Sequence, residues 1–213
     1  MVVIKNHKGS GGEIFMGVPK HQATRNRQAI IEAASRAFRE RGVDGVGVAD
    51  VMKEAGFTHG GFYNHFASKD ALAAECCAAV FARSAAQMKA LLAAEDDGGP
   101  GAFRAMLEAY LSTEHRDAPA VACPTATLAV DAARQGELMQ AAYAEGIETL
   151  LDIIQTYIAS RPGRGGTEAQ AREDAIAMLS SLVGTIVVAR GVGAANPALS
   201  EEILGVGRRH LPG

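Results

Sequence analysis

The sequence predicts an all-α protein, and three observations carry that prediction. Trp is absent and aromatic residues make up 5% of the chain, while Ala and Leu are abundant; strand-rich proteins favour β-branched and aromatic residues instead. Apolar residues recur at three- and four-residue spacing in one stretch after another. Breaks rich in Gly and Pro separate these stretches at intervals that suit helices. At 213 residues with 48% hydrophobic content, the chain can hold a small domain and a larger one, each with a core.

Taken in order, Met1 to His21 is Gly-rich and aperiodic, which predicts a flexible arm over residues 1–21. Met16 is a candidate for the biological start. Thr24 is expected to cap a first helix running to about Arg41, with Ile30, Ile31, Ala34, Ala37 and Phe38 inward and Gly42 after its end. Lys20, Arg25 and Arg27 form a basic cluster, read either as phosphate contacts or as a solvated face. Gly42 to Gly47 is a loop. Val48, Val51, Met52 and Ala55 then give a two-turn helix that Gly56 stops. Thr58 offers a hydroxyl to cap the next helix, in which Phe62 and Phe66 face inward and leave His59, Gly60, Tyr63 and Asn64 on other faces. Ser68 caps a long helix through Leu72, Cys76, Val80, Met88 and Leu92 to a break at Asp96 to Gly101.

The remaining elements are helices from Gly101 to about Arg116, from Pro124 through PTATLAVDAARQG, from Glu137 to Ser160 and from Thr167 to Arg190, with Asp117 to Cys123 and Arg161 to Gly166 as loops. Ser200-Glu201-Glu202 is expected to open a last helix ending near Arg208-Arg209, acid first and base last as the helix dipole prefers.

Net charge is −3, but it is unevenly spread: residues 1–70 carry 10 Lys/Arg against 7 Asp/Glu, and 71–213 carry 11 against 17. A basic end on an acidic body permits nucleic-acid contact without requiring it. Three cysteines, two of them adjacent at Cys76-Cys77, make no extracellular disulfide framework, which predicts a reducing cytoplasm. The opening residues have no apolar core of signal-peptide length, and the uncharged run Ala175 to Ala189 falls short of the ~20 residues of a membrane span, so no membrane association is expected.

Two short helices joined by a tight turn and handed into a long one are the layout of a helix-turn-helix, whose second helix must be polar and slim enough for a major groove about 12 Å wide. The run Thr58-His59-Gly60-Gly61-Phe62-Tyr63-Asn64-His65-Phe66-Ala67-Ser68-Lys69-Asp70-Ala71-Leu72 resembles the signature of TetR/AcrR-type bacterial transcriptional repressors, in register from about Thr24 to Leu72. The resemblance implies a helix-turn-helix DNA-binding domain over 22–70 and a helical ligand-binding and dimerisation domain over 71–213. It further implies that His59, Gly60, Gly61 and Asn64 lie nearest base edges, while Thr58, Tyr63, His65 and Lys69 hold phosphates. Gly60 and Gly61 are read either as allowing close approach to DNA or as allowing helices to pack closely. Relatives place Ser or Thr near the start of the second helix, where this chain has Gly47-Val48, so a backbone N–H must make that contact if it is made.

In the body, Met106, Tyr110, Cys123, Thr127, Met139, Tyr143 and Met178 are the candidate lining of a pocket for an apolar small-molecule inducer, with core packing as the alternative at each position. The last two helices carry Leu179, Leu182, Val183, Ile186, Val187, Ile203 and Leu204, read as a homodimer interface or as burial within one chain. A homodimer supplies two readers for a palindromic double-stranded operator. No cofactor, metal site or catalytic residue is expected: the histidines are scattered, and no phosphate loop, zinc spacing or nucleotide fingerprint is present. Two alternatives stay open. Cys123, just before a helix start, suits an electrophile- or oxidant-sensing repressor. Cys123 with His115 or Asp117 is the one tight cluster a thiol-dependent enzyme has to use. Cys76-Cys77 on the long helix is read as a thiol switch or, more simply, as two small buried hydrophobes.

Overall fold

The computed structural model describes residues 20–93, 101–161 and 166–210. The expected arm before Lys20, the start at Met16, the side chain of Lys20, the break at Asp96 to Pro100 and residues 162–165 of the RPGRGG loop lie outside the described residues. All regular elements among those described are helical: α1 Lys20–Arg41, α2 Val48–Glu54, a 3-10 turn His59–Asn64, α3 Lys69–Ala93, α4 Gly101–Tyr110, α5 Thr113–Asp117, α6 Pro124–Thr127, α7 Ala129–Arg134, α8 Glu137–Ser160, α9 Glu168–Gly193 and α10 Pro197–Arg209.

Two apolar clusters organise the chain. The upper one joins Ile30, Phe38, Val51, Met52, Phe62 and Phe66 to Leu72, Cys77 and Phe81 of α3, and continues into Leu128, Ala132, Met139 and Leu150 of the body. The lower one joins Phe103, Leu107 and Leu111 to Leu151, Ile154 and Ile158 of α8, Met178, Leu179, Leu182 and Ile186 of α9, and Leu204 of α10. Helices α3 and α8 run against each other between the two, so α3 belongs to both the amino-terminal unit and the body.

Several boundaries differ from expectation, each for a local reason. α1 is already helical at Lys20, so Thr24 stands inside it and does not cap it. The expected single helix from Gly101 to Arg116 is cut at Leu111-Ser112, because the Ser112 hydroxyl accepts from the His115 N–H and opens α5. The helix expected from Pro124 is two short ones meeting at Leu128. α10 starts at Pro197, capped by the Asn196 side chain accepting from Leu199 N–H; Ser200 lies inside it, buried, and donates to the Ala189 carbonyl. The Ser68 cap is present, its hydroxyl accepting from Ala71 N–H at 3.0 Å.

α9 is long and apolar enough to cross a membrane by length and composition. In this fold one side of it, Ala171, Ala175, Met178, Leu182, Ile186 and Ala189, is buried against α8 and α10. Its other side leaves Ile176, Val187 and Val188 exposed, with Val188 54% accessible.

Candidate functional site

The reader is held from beneath. Gly56 takes φ +83° and ends α2, and Phe57 N–H then closes the turn on the Met52 carbonyl at 2.7 Å. The segment after it winds as a 3-10 turn: Gly61 N–H donates to the Thr58 carbonyl and His65 N–H to the Phe62 carbonyl. Thr58 occupies the cap position through its backbone alone; the expected hydroxyl cap is not made. Phe62 is fully buried, stacks on Phe66 at 5.6 Å and meets Tyr63 edge-on at 5.2 Å. These two anchors turn the opposite face outward. His59, Gly60, Tyr63 and Asn64 are exposed, Tyr63 at 68%, while Gly61, His65 and Lys69 are half-buried.

A Cβ added at Gly60 meets nothing within 4 Å, and one at Gly61 only touches the Met52 methyl at 3.6 Å. Close helix packing therefore does not require Gly60; what its missing side chain leaves is open space on the outer face. Arg27, grouped in the sequence with Lys20 and Arg25, is committed inward. Its guanidinium sits 4.7 Å over the Phe66 ring, donates to the His65 carbonyl and pairs with Glu75. Arg27 thus ties α1 to the foot of the reader and to α3. At the start of α2 the Gly47 N–H is already engaged by the Asp50 carboxylate.

A second constellation lies in the body. Tyr143 of α8 donates to the Thr125 carbonyl at 2.8 Å, Cys123 Sγ lies 3.1 Å from Thr125 Oγ1, and Thr127 Oγ1 donates to the Cys123 carbonyl. The Tyr110 ring rests on His115 at 4.6 Å. Its hydroxyl is sealed from solvent beside the Cys123 thiol without a hydrogen bond of normal geometry. Burial pushes the Tyr110 phenol well above its ordinary range and that of Tyr143 to about 12. His115 is pushed down, first by burial and then by the Arg190 guanidinium, and is neutral at pH 7. Burial also raises the Cys76 and Cys77 thiols to about 12, so both are thiols and not thiolates at neutral pH.

Of the seven candidate pocket residues, Tyr110, Cys123, Thr127 and Tyr143 come together here. Met106 packs on the lower core, Met139 is buried in the upper one, and Met178 is in the lower core. Thr125 and His115 complete the group; in the sequence His115 stands out only as a candidate partner of Cys123, and Thr125 is not singled out. A groove of about 550 Å³ lies elsewhere, between α9 and α10, with Asp174, Met178, Thr185, Leu199, Ile203 and His210 in its wall; only Met178 is shared with the candidate pocket. The catalytic alternative lacks its geometry. His115 Nε2 accepts from the Cys123 backbone N–H at 3.5 Å, and the Asp117 carboxylate is paired with Arg116 on the surface. Among the described residues no group of three or more His, Cys, Asp or Glu is placed to hold a metal ion.

Of the candidate dimer residues, Leu179, Leu182, Ile186 and Leu204 are buried in the chain's own lower core, Val183 and Ile203 are half-buried, and Val187 is exposed. Ile176, read in the sequence as one of the residues too apolar for a monomer's surface, is exposed, as are Val188, Leu199 and Val206, which were not singled out. On α9 the uncharged run Ala175 to Ala189 hid which side faces out, while on α10 Leu199 and Val206 stand apart, with Ser200-Glu201-Glu202 between them.

Residues 30–76 match the family model described as bacterial regulatory proteins, tetR family. The uncharacterized HTH-type transcriptional regulator YvdT of Bacillus subtilis is 31% identical over 101 residues, 47% of this chain and 52% of its own length. The HTH-type transcriptional regulator TtgR of Pseudomonas putida is 48% identical over 50 residues, 24% of each chain. The chain therefore aligns with about half, or less, of the length of these curated relatives. Its fold is similar to that of E. coli NemR in its reduced form, with TM-score 0.71 and 18% identity over 87% of this chain and 95% of that one. It is also similar to a TetR-family transcriptional regulator of Cytophaga hutchinsonii, with TM-score 0.67 and 21% identity over 88% and 94%. Residues 30–76 thus carry the signature of the bacterial tetR-family regulatory proteins, and the fold of most of the chain is similar to that of a TetR-family regulator.

Proposed function

We propose that the protein is a ligand-responsive, sequence-specific DNA-binding regulator, a homodimeric repressor released from a palindromic operator by a small apolar inducer. In this reading residues 22–70 form the reader and 71–213 the body. The observation that supports it most is the split of the 59–66 segment: buried Phe62 and Phe66 on one side, exposed His59, Gly60, Tyr63 and Asn64 on the other. Tyr63, Thr58, His65 and Lys69 are assigned to phosphates, which fix register; His59 and Asn64 are assigned to base edges, with Gly60 and Gly61 allowing close approach. With no Arg on that face, DNA shape and thymine methyl contacts supply part of the sequence preference. The exposed stripe Gly184, Val187, Val188 and Gly191, spaced i, i+3, i+4 and i+7 on α9, is assigned to the partner protomer, together with Leu199 and Val206 of α10. Covering this stripe in a dimer, and not in a bilayer, keeps the protein in the cytoplasm. The inducer is assigned to the space around Tyr110, Cys123, Thr127 and Tyr143.

Selection from random-sequence DNA tests this reading, comparing wild type with Tyr63→Ala and His59→Ala across salt concentrations. A palindrome is expected to be enriched; Tyr63→Ala weakens all sequences alike, and His59→Ala changes the preferred base. No enrichment by the wild type defeats the proposal, and increased transcription on binding in a reporter assigns activation in place of repression.

A second reading, sensing of electrophiles or oxidants through Cys123, is favoured by the position of that sulfur at the start of α6, between Thr125 and the unpartnered Tyr110 hydroxyl. Cys123→Ser is expected to abolish release by electrophiles and to spare DNA binding; release that survives the substitution ends this version.

A further inference from the structure

The reader is joined to the body by a second set of contacts that α3 does not provide. Asp131, on α7, accepts from the Val43 N–H through Oδ1 at 2.8 Å. Val43 is the second residue after α1 and is buried, so water does not replace this acceptor. The approach depends on Gly42, which takes φ +74°; a Cβ there would stand 3.3 Å from the same carboxylate oxygen. Helix-end electrostatics do not explain the pairing, because a carboxylate at the C-terminal end of a helix faces the negative end of the dipole. Two further bonds flank it. Gln135 donates to Asp44 Oδ1 at 2.9 Å, and the Arg39 guanidinium, 9% exposed, donates to the Ala122 carbonyl at 3.1 Å. Residues 39–44 are thereby fastened at three points to residues 122–135, and the turn so fastened leads directly into α2 and the reader.

The apolar contact in the same place, Phe38, Val43 and Val46 with Leu128 and Ala132, tolerates small slides. A hydrogen bond at 2.8 Å does not. We propose that Asp131 is a positioning residue, which fixes the angle of each reader against its body and so sets the spacing of operator half-sites that one dimer accepts. The inference rests on the DNA-binding reading above and adds to it a specificity determinant that lies outside the helix-turn-helix.

The test uses the palindrome selected by the full-length protein, together with versions lengthened or shortened by one base pair between the half-sites. Wild type is expected to lose at least tenfold in affinity per base pair of misfit, and Asp131→Ala less than threefold, with affinity for an isolated half-site unchanged. Asp131→Asn keeps a carbonyl oxygen acceptor and is expected to discriminate as wild type does. A folded Asp131→Ala protein that discriminates spacing like wild type overturns the proposal, as does an Asp131→Asn protein that behaves like Asp131→Ala. Gln135→Ala decides the matter if Asp131→Ala does not fold, since that pair is exposed: at least a twofold loss of spacing discrimination is expected, and no loss overturns the proposal. A wild type that enriches no site defeats the DNA-binding reading itself, an outcome distinct from failure of the positioning role alone.

Discussion

Gly146 is where α8 is pressed against α3, and replacing it with Ala gives a test of the packing that joins reader and body. A Cβ built there lies 2.2 Å from Cγ of Phe81 and 2.4 and 2.6 Å from its two Cδ atoms, well inside van der Waals contact. The root of an aromatic ring does not swing aside as a flexible tip does, and Phe81 is 3% exposed with Tyr143 edge-on at 5.4 Å. Relief therefore requires helices α3 and α8 to separate. Overpacking of this kind costs about 1–3 kcal/mol, and Ala in place of a mid-helix Gly returns roughly 1 kcal/mol. A clash at the root of the ring belongs at the upper end of that range, so the net expectation is a loss of about 2 kcal/mol, a fall in Tm of roughly 4–8 °C for a chain of this size. Thermal melts followed by circular dichroism at 222 nm measure it. Gly205→Ala is the control, because a Cβ there meets only arginine side chains at 3.5 Å and beyond, and it is expected to melt at or above the wild-type temperature. Phe81→Leu in the Gly146→Ala background is expected to cost less than the two changes added separately. A Gly146→Ala protein as stable as wild type refutes the reasoning, and strict additivity with Phe81→Leu places the damage elsewhere.

Two further outcomes follow from the burial of titratable groups. His115 has its pKa held below 6.5 by burial and then by Arg190, so the unfolded chain takes up a proton first as pH falls. Stability is then expected to decline as pH drops below about 6.5, by at most roughly 1.4 kcal/mol per pH unit from this one group, and His115→Gln should flatten the decline; an unchanged slope in urea titrations argues against it. Native protein at pH 7.5 is expected to react with one equivalent of a maleimide, at Cys123, and denatured protein with three, since Cys76 and Cys77 are buried with thiols raised to about 12. Rapid labelling of Cys76 or Cys77 in the native state contradicts their placement and revives the thiol switch on α3.

What the sequence made legible here is what local spacing determines. Phe62 and Phe66, four apart, sufficed to say which side of the reader points in, and Gly42 and Gly56 marked helix ends because both take positive φ. The start of α10 was readable as well, because Asn196-Pro197 is a cap followed by Pro in the first turn; Ser200-Glu201-Glu202 drew the boundary downstream only because acidic residues also suit a first turn. Contacts across long separations were not legible. Nothing near Gly146 in sequence announces Phe81, 65 positions earlier, and nothing near Asp131 announces Val43. His115 and Asp117 stood together by number, yet a half-turn of α5 sends one imidazole under Tyr110 and the carboxylate out to Arg116. The reader follows rules that act within about a turn of helix. The joint between reader and body rests instead on pairs such as Arg39 with Ala122 and Asp131 with Val43, which only the folded chain brings together. The surface proposed to meet DNA can thus keep its local signature while, in the role proposed for Asp131, the accepted spacing is set from a residue 88 positions beyond Val43.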